Sequence, residues 1–149
     1  MKTIRIHLIG FASILILSGV TAFPVKTEIN FLFENRNAFP EFMIHWIEKL
    51  NTIILQTPDI MLYGTDWLAF AHIIIALFFI PVYINPVKYK INIQVAMSAC
   101  LLVFPLAFIC GPIRGIPFFH KLIDCSFGIL GIIYLYFILN KIKKHEAGL

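Results

Sequence analysis

The sequence predicts an all-α transmembrane four-helix bundle with an amphipathic helix outside the membrane. The chain of 149 residues is 60% hydrophobic and only 13% charged, with a mean hydropathy of +0.88, whereas soluble domains are nearer half apolar and about a quarter charged. Its apolar residues lie in four runs, each long enough for a helix to cross a bilayer. We expect one membrane domain over residues 1–149, with spans at about residues 4–23, 66–84, 91–111 and 121–140.

The first run has two interpretations. Lys2 and Arg5 precede an apolar stretch that only His7 interrupts, and Val-Thr-Ala at residues 20–22 resembles a signal-peptidase site. A cleaved signal peptide is therefore one interpretation. The apolar stretch of about 18 to 20 residues is long for a signal peptide and sufficient to cross ~30 Å of hydrocarbon, so we favour an uncleaved first span.

Residues 24–65 form the one long segment without a span. Its first part, KTEINFLFENRN at residues 26–37, mixes charged and apolar side chains without a clear period. Pro40 to Gln56 then repeats apolar residues at helical spacing, and Pro58 lies just beyond this stretch. The repeating residues are Met43, Trp46, Ile47, Leu50, Ile53 and Ile54. This pattern predicts an amphipathic helix, which either lies flat in the membrane interface or covers the mouth of the bundle.

Local sequence signals mark the start and end of the second span and a kink in the third. Thr65 and Asp66 predict the start of the second span, with Thr65 as the cap and Asp66 stabilised by first-turn amides. Pro81 and Pro86 mark its end. The third run contains Pro105, where we expect a kink.

Lysine and arginine residues predict the topology. Four spans place seven cations and one acid on one side, and five cations and seven acids on the other. The first side holds Lys2, Arg5, Lys88, Lys90, Lys141, Lys143, Lys144 and Glu146. By the positive-inside rule both termini are cytoplasmic and residues 24–65 lie outside. The basic residues therefore act as topology anchors in a bacterial inner membrane, which excludes a nucleic-acid-binding function.

The fourth span carries a stripe of polar and small residues. His120, Asp124, Gly128 and Gly131 fall within about 80° of arc on a helix. Glycines at this spacing allow a neighbouring helix to approach closely, so the stripe is expected to face protein. His120 and Asp124 are then either a structural pair or a carboxylate that orients an imidazole, as a base or a metal ligand requires.

Three further residues complete the candidate site. Arg114, within GPIRGIP, can clamp a carboxylate or phosphate, including that of a lipid head group, or can pair with Asp124 or Asp66. His72 lies about six residues, or ~9 Å, beyond Asp66 on the second span. An ionisable residue there is a functional candidate, although a neutral His72 bonded to a backbone carbonyl or to Ser98 is an adequate structural explanation.

No cofactor is predicted. His72 and His120 would be the ligands of a haem, or of a metal together with Asp124, but no sequence signature supports either group. The cysteines form no CxxC pair or zinc spacing. Cys110 and Cys125 both lie near the predicted outer face, where a disulfide is permitted. Phosphate loops, zincin motifs, Ser-His-Asp spacing and dinucleotide fingerprints are absent from the sequence.

Two sequence blocks carry a resemblance to known proteins. The blocks are YGTDWLAFAHIIIA and GPIRGIPFFHKLIDCSFG, and the similarity extends over about residues 63–132. In these blocks the chain resembles a family of small bacterial four-span inner-membrane proteins to which no activity is attached. The resemblance implies a four-span architecture and nothing about function. The four-span family of vitamin K epoxide reductases is excluded because the chain has no CxxC motif.

These observations leave three hypotheses about function. The first is an accessory or ligand-binding membrane protein whose polar cluster binds a lipid, a quinone or a partner subunit. The cluster comprises Asp66, His72, Arg114, His120 and Asp124. The second is a membrane enzyme or redox protein that uses the histidines as base or ligands. The third is a purely structural assembly protein, and for all three the expected partners are the lipid bilayer and another membrane protein or a second copy.

Overall fold

The structure, a computed structural model, describes residues 1–148, and within that range it contains helices and turns but no strand. The α-helices are α1 (Lys2–Ala22), α2 (Val25–Glu34), α3 (Glu41–Gln56), α4 (Asp59–Leu77), α5 (Ile80–Ile84), α6 (Lys90–Pro105), α7 (Gly111–Ile113) and α8 (Phe118–Glu146). A 3₁₀ turn, Arg36–Ala38, follows α2, and a π-helical turn, Leu106–Cys110, joins α6 to α7.

Four helical segments are long and apolar enough to cross a membrane, which confirms the predicted fold class. They are Lys2–Ala22, Asp59–Ile84, Lys90–Ile113 and Phe118–Glu146, and the shortest has 21 residues. At 1.5 Å per residue even this helix covers about 30 Å, the thickness of the hydrocarbon core. At most 28% of the residues in each apolar window are buried. The exposed apolar side chains of these helices suit contact with lipid.

The chain divides into two compact units. Unit 1 comprises Met1–Ser13 together with the chain from Leu77 onward, and unit 2 comprises Ile14–Ala76. The fully buried side chains of unit 1 are Leu8, Val82, Pro86, Ile93, Leu135, Ile138 and Ile142. They come from α1, α5, the turn before α6, α6 itself and α8. The apolar faces of these segments therefore form one core.

Polar contacts in unit 1 satisfy carbonyl groups at a helix end. The Arg5 guanidinium donates to the carbonyl oxygens of Tyr83 at 3.1 Å and Ile84 at 3.3 Å. These carbonyls lie in the last turn of α5, where the helix itself supplies no donor. At the same end of the unit's long helices, Lys90 forms a surface ion pair with Glu146 at 2.6 Å.

Unit 2 contains a helix that the sequence pattern did not predict. Residues 25–34 showed no clear period, yet they form α2, which packs against α3. Arg36 Nε lies 3.4 Å from Glu48 Oε1, and the Arg36 guanidinium stacks over the ring of Phe33. These contacts fix the connection between α2 and α3. Helix α2 is as amphipathic as α3, but its ten residues offer few repeats in which to recognise the period.

The predicted helix at Pro40 to Gln56 is confirmed as α3, with Ile47 and Ile54 buried. The remainder of its predicted apolar face is only partly covered, and Ile53 is 47% exposed. Pro58 follows the end of the helix, as expected. The carbonyl of Pro58 then accepts from the amides of Met61 and Leu62, and so opens α4.

The predicted helix start at Thr65 and Asp66 is wrong, because α4 already begins at Asp59. Thr65 Oγ1 donates to the Leu62 carbonyl at 2.6 Å, which is the bond a threonine makes inside a helix rather than at its cap. Asp59 is the acidic residue of the first turn, and it accepts from Lys26 Nζ at 2.9 Å. Asp66 consequently lies within α4.

The expected irregularity at Pro105 is found as a change of helix type. Regular α-helix ends at Pro105 and the π-helical turn begins at the next residue. Proline removes one backbone donor and crowds the turn before it, and both effects favour an interruption of the regular helix at this point.

Candidate functional site

The hairpin between α6 and α8 is fixed by its backbone. Arg114 N donates to the carbonyls of Cys110 and Gly111, and Ile116 N donates to that of Gly111 at 2.9 Å. Gly115 has a φ of +67°, which a residue with a side chain rarely adopts. Pro117 is extended and precedes the first turn of α8. This tight connection holds the exposed Arg114 beside the start of α8.

Lys121 packs against the hairpin. A Cβ atom placed on Gly111 would lie 2.7 Å from Lys121 Cδ, so a larger residue there would force the lysine side chain to move. The Lys121 ammonium lies 5.9 Å from the ring centroid of Phe108 and 5.6 Å from that of Phe118. These rings attract the cation. The methylene chain of Lys121 thus packs on Gly111, and its ammonium group lies near the two phenyl rings.

The predicted packing face of α8 is confirmed for its two glycines. A Cβ on Gly128 would lie 2.8 Å from the Cys100 carbonyl oxygen, and one on Gly131 would lie 2.8 Å from Cys100 Sγ. Both distances are shorter than a carbon atom tolerates. Helix α6 therefore approaches α8 as closely as glycine allows.

His120 and Asp124 lie on the same side of α8, as predicted. His120 Nε2 is 3.9 Å from Asp124 Oδ1, one helical turn away, and both side chains are half-buried. The separation exceeds a hydrogen bond. A protonated imidazole would feel an electrostatic attraction at this distance, but the carboxylate does not orient the ring by a direct bond.

A pocket of about 240 Å³ opens between the π-helical turn, the hairpin and α8. Its apolar wall comprises Val103, Leu106, Ala107, Cys110, Gly111 and Ile116. Its charged lining comprises Arg114, Lys121 and Asp124. Within the described chain Arg114 forms neither an ion pair nor a side-chain hydrogen bond, so the expected alternative of an Arg114–Asp124 pair is not formed. The pocket thus brings together two of the predicted site residues, Arg114 and Asp124, with Lys121, which the sequence analysis did not include in the site.

The other two predicted site residues belong to unit 2. His72 Nδ1 lies 3.0 Å from the carbonyl oxygen of Leu68. Since a carbonyl only accepts, Nδ1 carries the proton, as the structural interpretation of His72 expected. Ser98, the other proposed partner, donates to the Gln94 carbonyl of its own helix at 3.1 Å. Asp66 is half-buried in α4, and within residues 1–148 its carboxylate has no ion pair.

The cysteines are free thiols. Cys125 is buried and Cys110 is exposed, so the disulfide that the sequence permitted is not formed in this structure. Over residues 1–148, no three His, Cys, Asp or Glu side chains are grouped as a metal site would require. The metal and haem hypotheses stay untested predictions.

One polar pair was missed by the sequence analysis. His7 Nδ1 lies 3.1 Å from the hydroxyl oxygen of Tyr134, and the His7 ring meets the ring of Phe137 edge-on at 5.0 Å. An ionisable side chain inside an apolar run indicates a polar partner or a functional role, and His7 is such a side chain. Its partner lies 127 residues away, so no local pattern could identify it.

Comparisons with protein-family models, curated protein sequences and solved structures find no match to this chain. The site must therefore be interpreted from its own geometry and chemistry.

Proposed function

We propose that this protein is a multi-pass inner-membrane protein, with both termini in the cytoplasm, that binds the phosphate-bearing head group of a membrane lipid. The observation that carries the proposal is the pocket in which Arg114 and Lys121 stand beside an apolar wall. In proteins generally, phosphate groups are bound by guanidinium and ammonium groups. The apolar wall suits the glycerol and upper acyl region of the same molecule.

The size of the pocket supports a head group rather than an entire ligand. Pockets for drug-sized molecules hold roughly 300–1,000 Å³, and this one holds about 240 Å³. A lipid would place its polar end here while its acyl chains stay in the bilayer, along the exposed apolar faces of α6 and α8. A quinone lacks the negative charge that two cations favour, so the charge pattern supports a lipid over a quinone.

The state of Arg114 also supports the proposal. A guanidinium close to hydrocarbon is costly unless an anion or water compensates it. Arg114 is exposed and has no ion pair with another described residue. A lipid phosphate would supply the missing acceptor and could form two parallel hydrogen bonds with it.

Phospholipid binding by the purified protein tests the proposal. In mild detergent, native mass spectrometry with added phospholipid should show a retained lipid. Arg114→Gln should weaken retention by about tenfold, because the neutral glutamine keeps a donor but loses the charge and the paired hydrogen bonds of the guanidinium. Lys49→Gln is a matched control, since Lys49 is also a cation held over an aromatic ring, at 5.5 Å from Trp46, but lies on α3. Its retention of lipid should equal that of the unmodified protein.

Two results would contradict the proposal. One is equal retention of phospholipid by the Arg114→Gln and Lys49→Gln variants, which would leave a partner subunit as the better occupant. The other is displacement of the lipid by millimolar inorganic phosphate, because a site for a free anion would need no apolar wall.

A further inference from the structure

The pocket carries a negative charge that phosphate binding does not explain. Asp124 lines it together with Arg114 and Lys121. Lys121 and Asp124 are three residues apart on α8, so their side chains lie on neighbouring positions of one helix face. A carboxylate there would repel a purely anionic head group and weaken its binding.

Asp124 is not neutralised by a close ion pair. Among the described residues its ionic neighbour is His120, whose Nε2 lies 3.9 Å away, and the Asp124 side chain is 46% exposed. Lys121 is instead held over the rings of Phe108 and Phe118. The carboxylate is thus available as an acceptor in the pocket lining.

The apolar wall restricts the kind of cation that Asp124 would meet. None of the nine lining residues, all within the described chain, is aromatic. A quaternary ammonium has no N–H to donate and is recognised by a cage of aromatic rings. A primary ammonium donates hydrogen bonds, and a carboxylate accepts them.

We infer that the pocket selects a zwitterionic phospholipid whose head group joins a phosphate to a primary ammonium, as in an ethanolamine phospholipid. Arg114 and Lys121 bind the phosphate, and Asp124 accepts from the ammonium. This inference rests on the proposed lipid-binding function and adds the identity of the head group.

Competition between head groups tests the inference. Phospholipids with ethanolamine, choline and glycerol head groups and identical acyl chains are offered together to the purified protein, and retained lipid is measured by native mass spectrometry. The unmodified protein should retain the ethanolamine lipid about tenfold better than the other two, because one charge-assisted hydrogen bond separates them.

Variants at Asp124 identify the group responsible. Asp124→Asn should abolish the preference for ethanolamine over glycerol while leaving retention of the glycerol lipid equal or higher. Asp124→Glu keeps the carboxylate and should keep the preference, which separates recognition from a loss of folding. Asp59→Asn removes a carboxylate from the first turn of α4, outside the pocket lining, and should leave the preference unchanged.

The outcomes separate the two proposals. Retention of all three lipids to the same extent, or preference for the glycerol lipid, overturns the ethanolamine inference and leaves the lipid-binding function in place. Retention of none of them overturns both. A preference that survives in Asp124→Asn also overturns the inference, since the head group would then be recognised by another residue.

Discussion

His7 and Tyr134 join α1 to α8 through a polar contact of 3.1 Å inside two apolar helices. The contact can form in two ways. Either the Tyr134 hydroxyl donates to Nδ1, or Nδ1–H donates to the hydroxyl oxygen while the hydroxyl turns toward the His7 carbonyl oxygen at 3.5 Å. The pair is thus satisfied with either tautomer of a neutral imidazole.

Tyr134→Phe should lower the free energy of unfolding by about 1–2 kcal/mol, because it leaves Nδ1 of His7 without its partner. Chemical or thermal unfolding in detergent measures the change. Tyr136→Phe is the control, since Tyr136 is 54% exposed and should tolerate the loss of its hydroxyl. The double replacement His7→Phe with Tyr134→Phe should restore part of the loss, because both polar groups are then removed. Equal stability of Tyr134→Phe and Tyr136→Phe would contradict this account.

Gly128→Ala should destabilise the packing of α6 on α8 by about 1–3 kcal/mol, since the new methyl group would meet the Cys100 carbonyl oxygen at 2.8 Å. Gly64→Ala is the matched control. Gly64 also lies inside a helix, but nothing lies within 4 Å of its added Cβ, so the replacement should stabilise α4 by up to ~1 kcal/mol. Thermal unfolding should therefore shift in opposite directions for the two variants, and a shift in the same direction would be evidence against the close approach.

Gly115→Ala should cost about 1–2 kcal/mol, because alanine is strained at the φ of +67° found there. The same variant should weaken lipid retention, since the hairpin that positions Arg114 would change conformation. Gly115→Asn is the comparison, because asparagine tolerates this backbone region better than alanine does. If alanine and asparagine behave alike in both measurements, the left-handed residue does not control the hairpin.

Topology is tested with single cysteines and a thiol reagent that does not cross membranes. With the three native cysteines replaced by serine, Lys49→Cys should react in intact cells, whereas Lys88→Cys should react only after the membrane is permeabilised. Reaction of Lys88→Cys in intact cells would reverse the proposed orientation and place the Arg114 pocket on the cytoplasmic side.

The sequence correctly predicted the features that depend on a single helix. The four apolar runs, the helix ending before Pro58, and the change at Pro105 each depend on local propensities, and all appear in the structure. The shared helix face of Gly128 and Gly131 was also predictable, because the period of a helix places them on one side. The structure shows that this face meets α6 at Cys100, a partner that the period alone does not identify.

Contacts between distant segments could not be read in this way. Nothing near His7 in sequence indicates Tyr134, and nothing in α8 indicates that the stem of Lys121 would lie on Gly111. The start of α4 was misplaced for a different reason. Both Asp59 and Thr65 are suitable first residues for a helix. The start was assigned to Thr65 because the continuous apolar run begins only after it, whereas the helix also includes the turns from Asp59 onward.

The π-helical turn Leu106–Cys110 has a consequence for the phase of the helix. A wider turn takes up one residue more than an α-helical turn, so every later residue lies about 100° behind its position in an uninterrupted α-helix. Gly111 faces Lys121 only in this shifted phase. Deleting one residue from the turn would restore the regular phase and rotate Gly111 and Arg114 away from α8. The pocket is therefore more vulnerable to a change in residue number at this turn than to most changes in residue type.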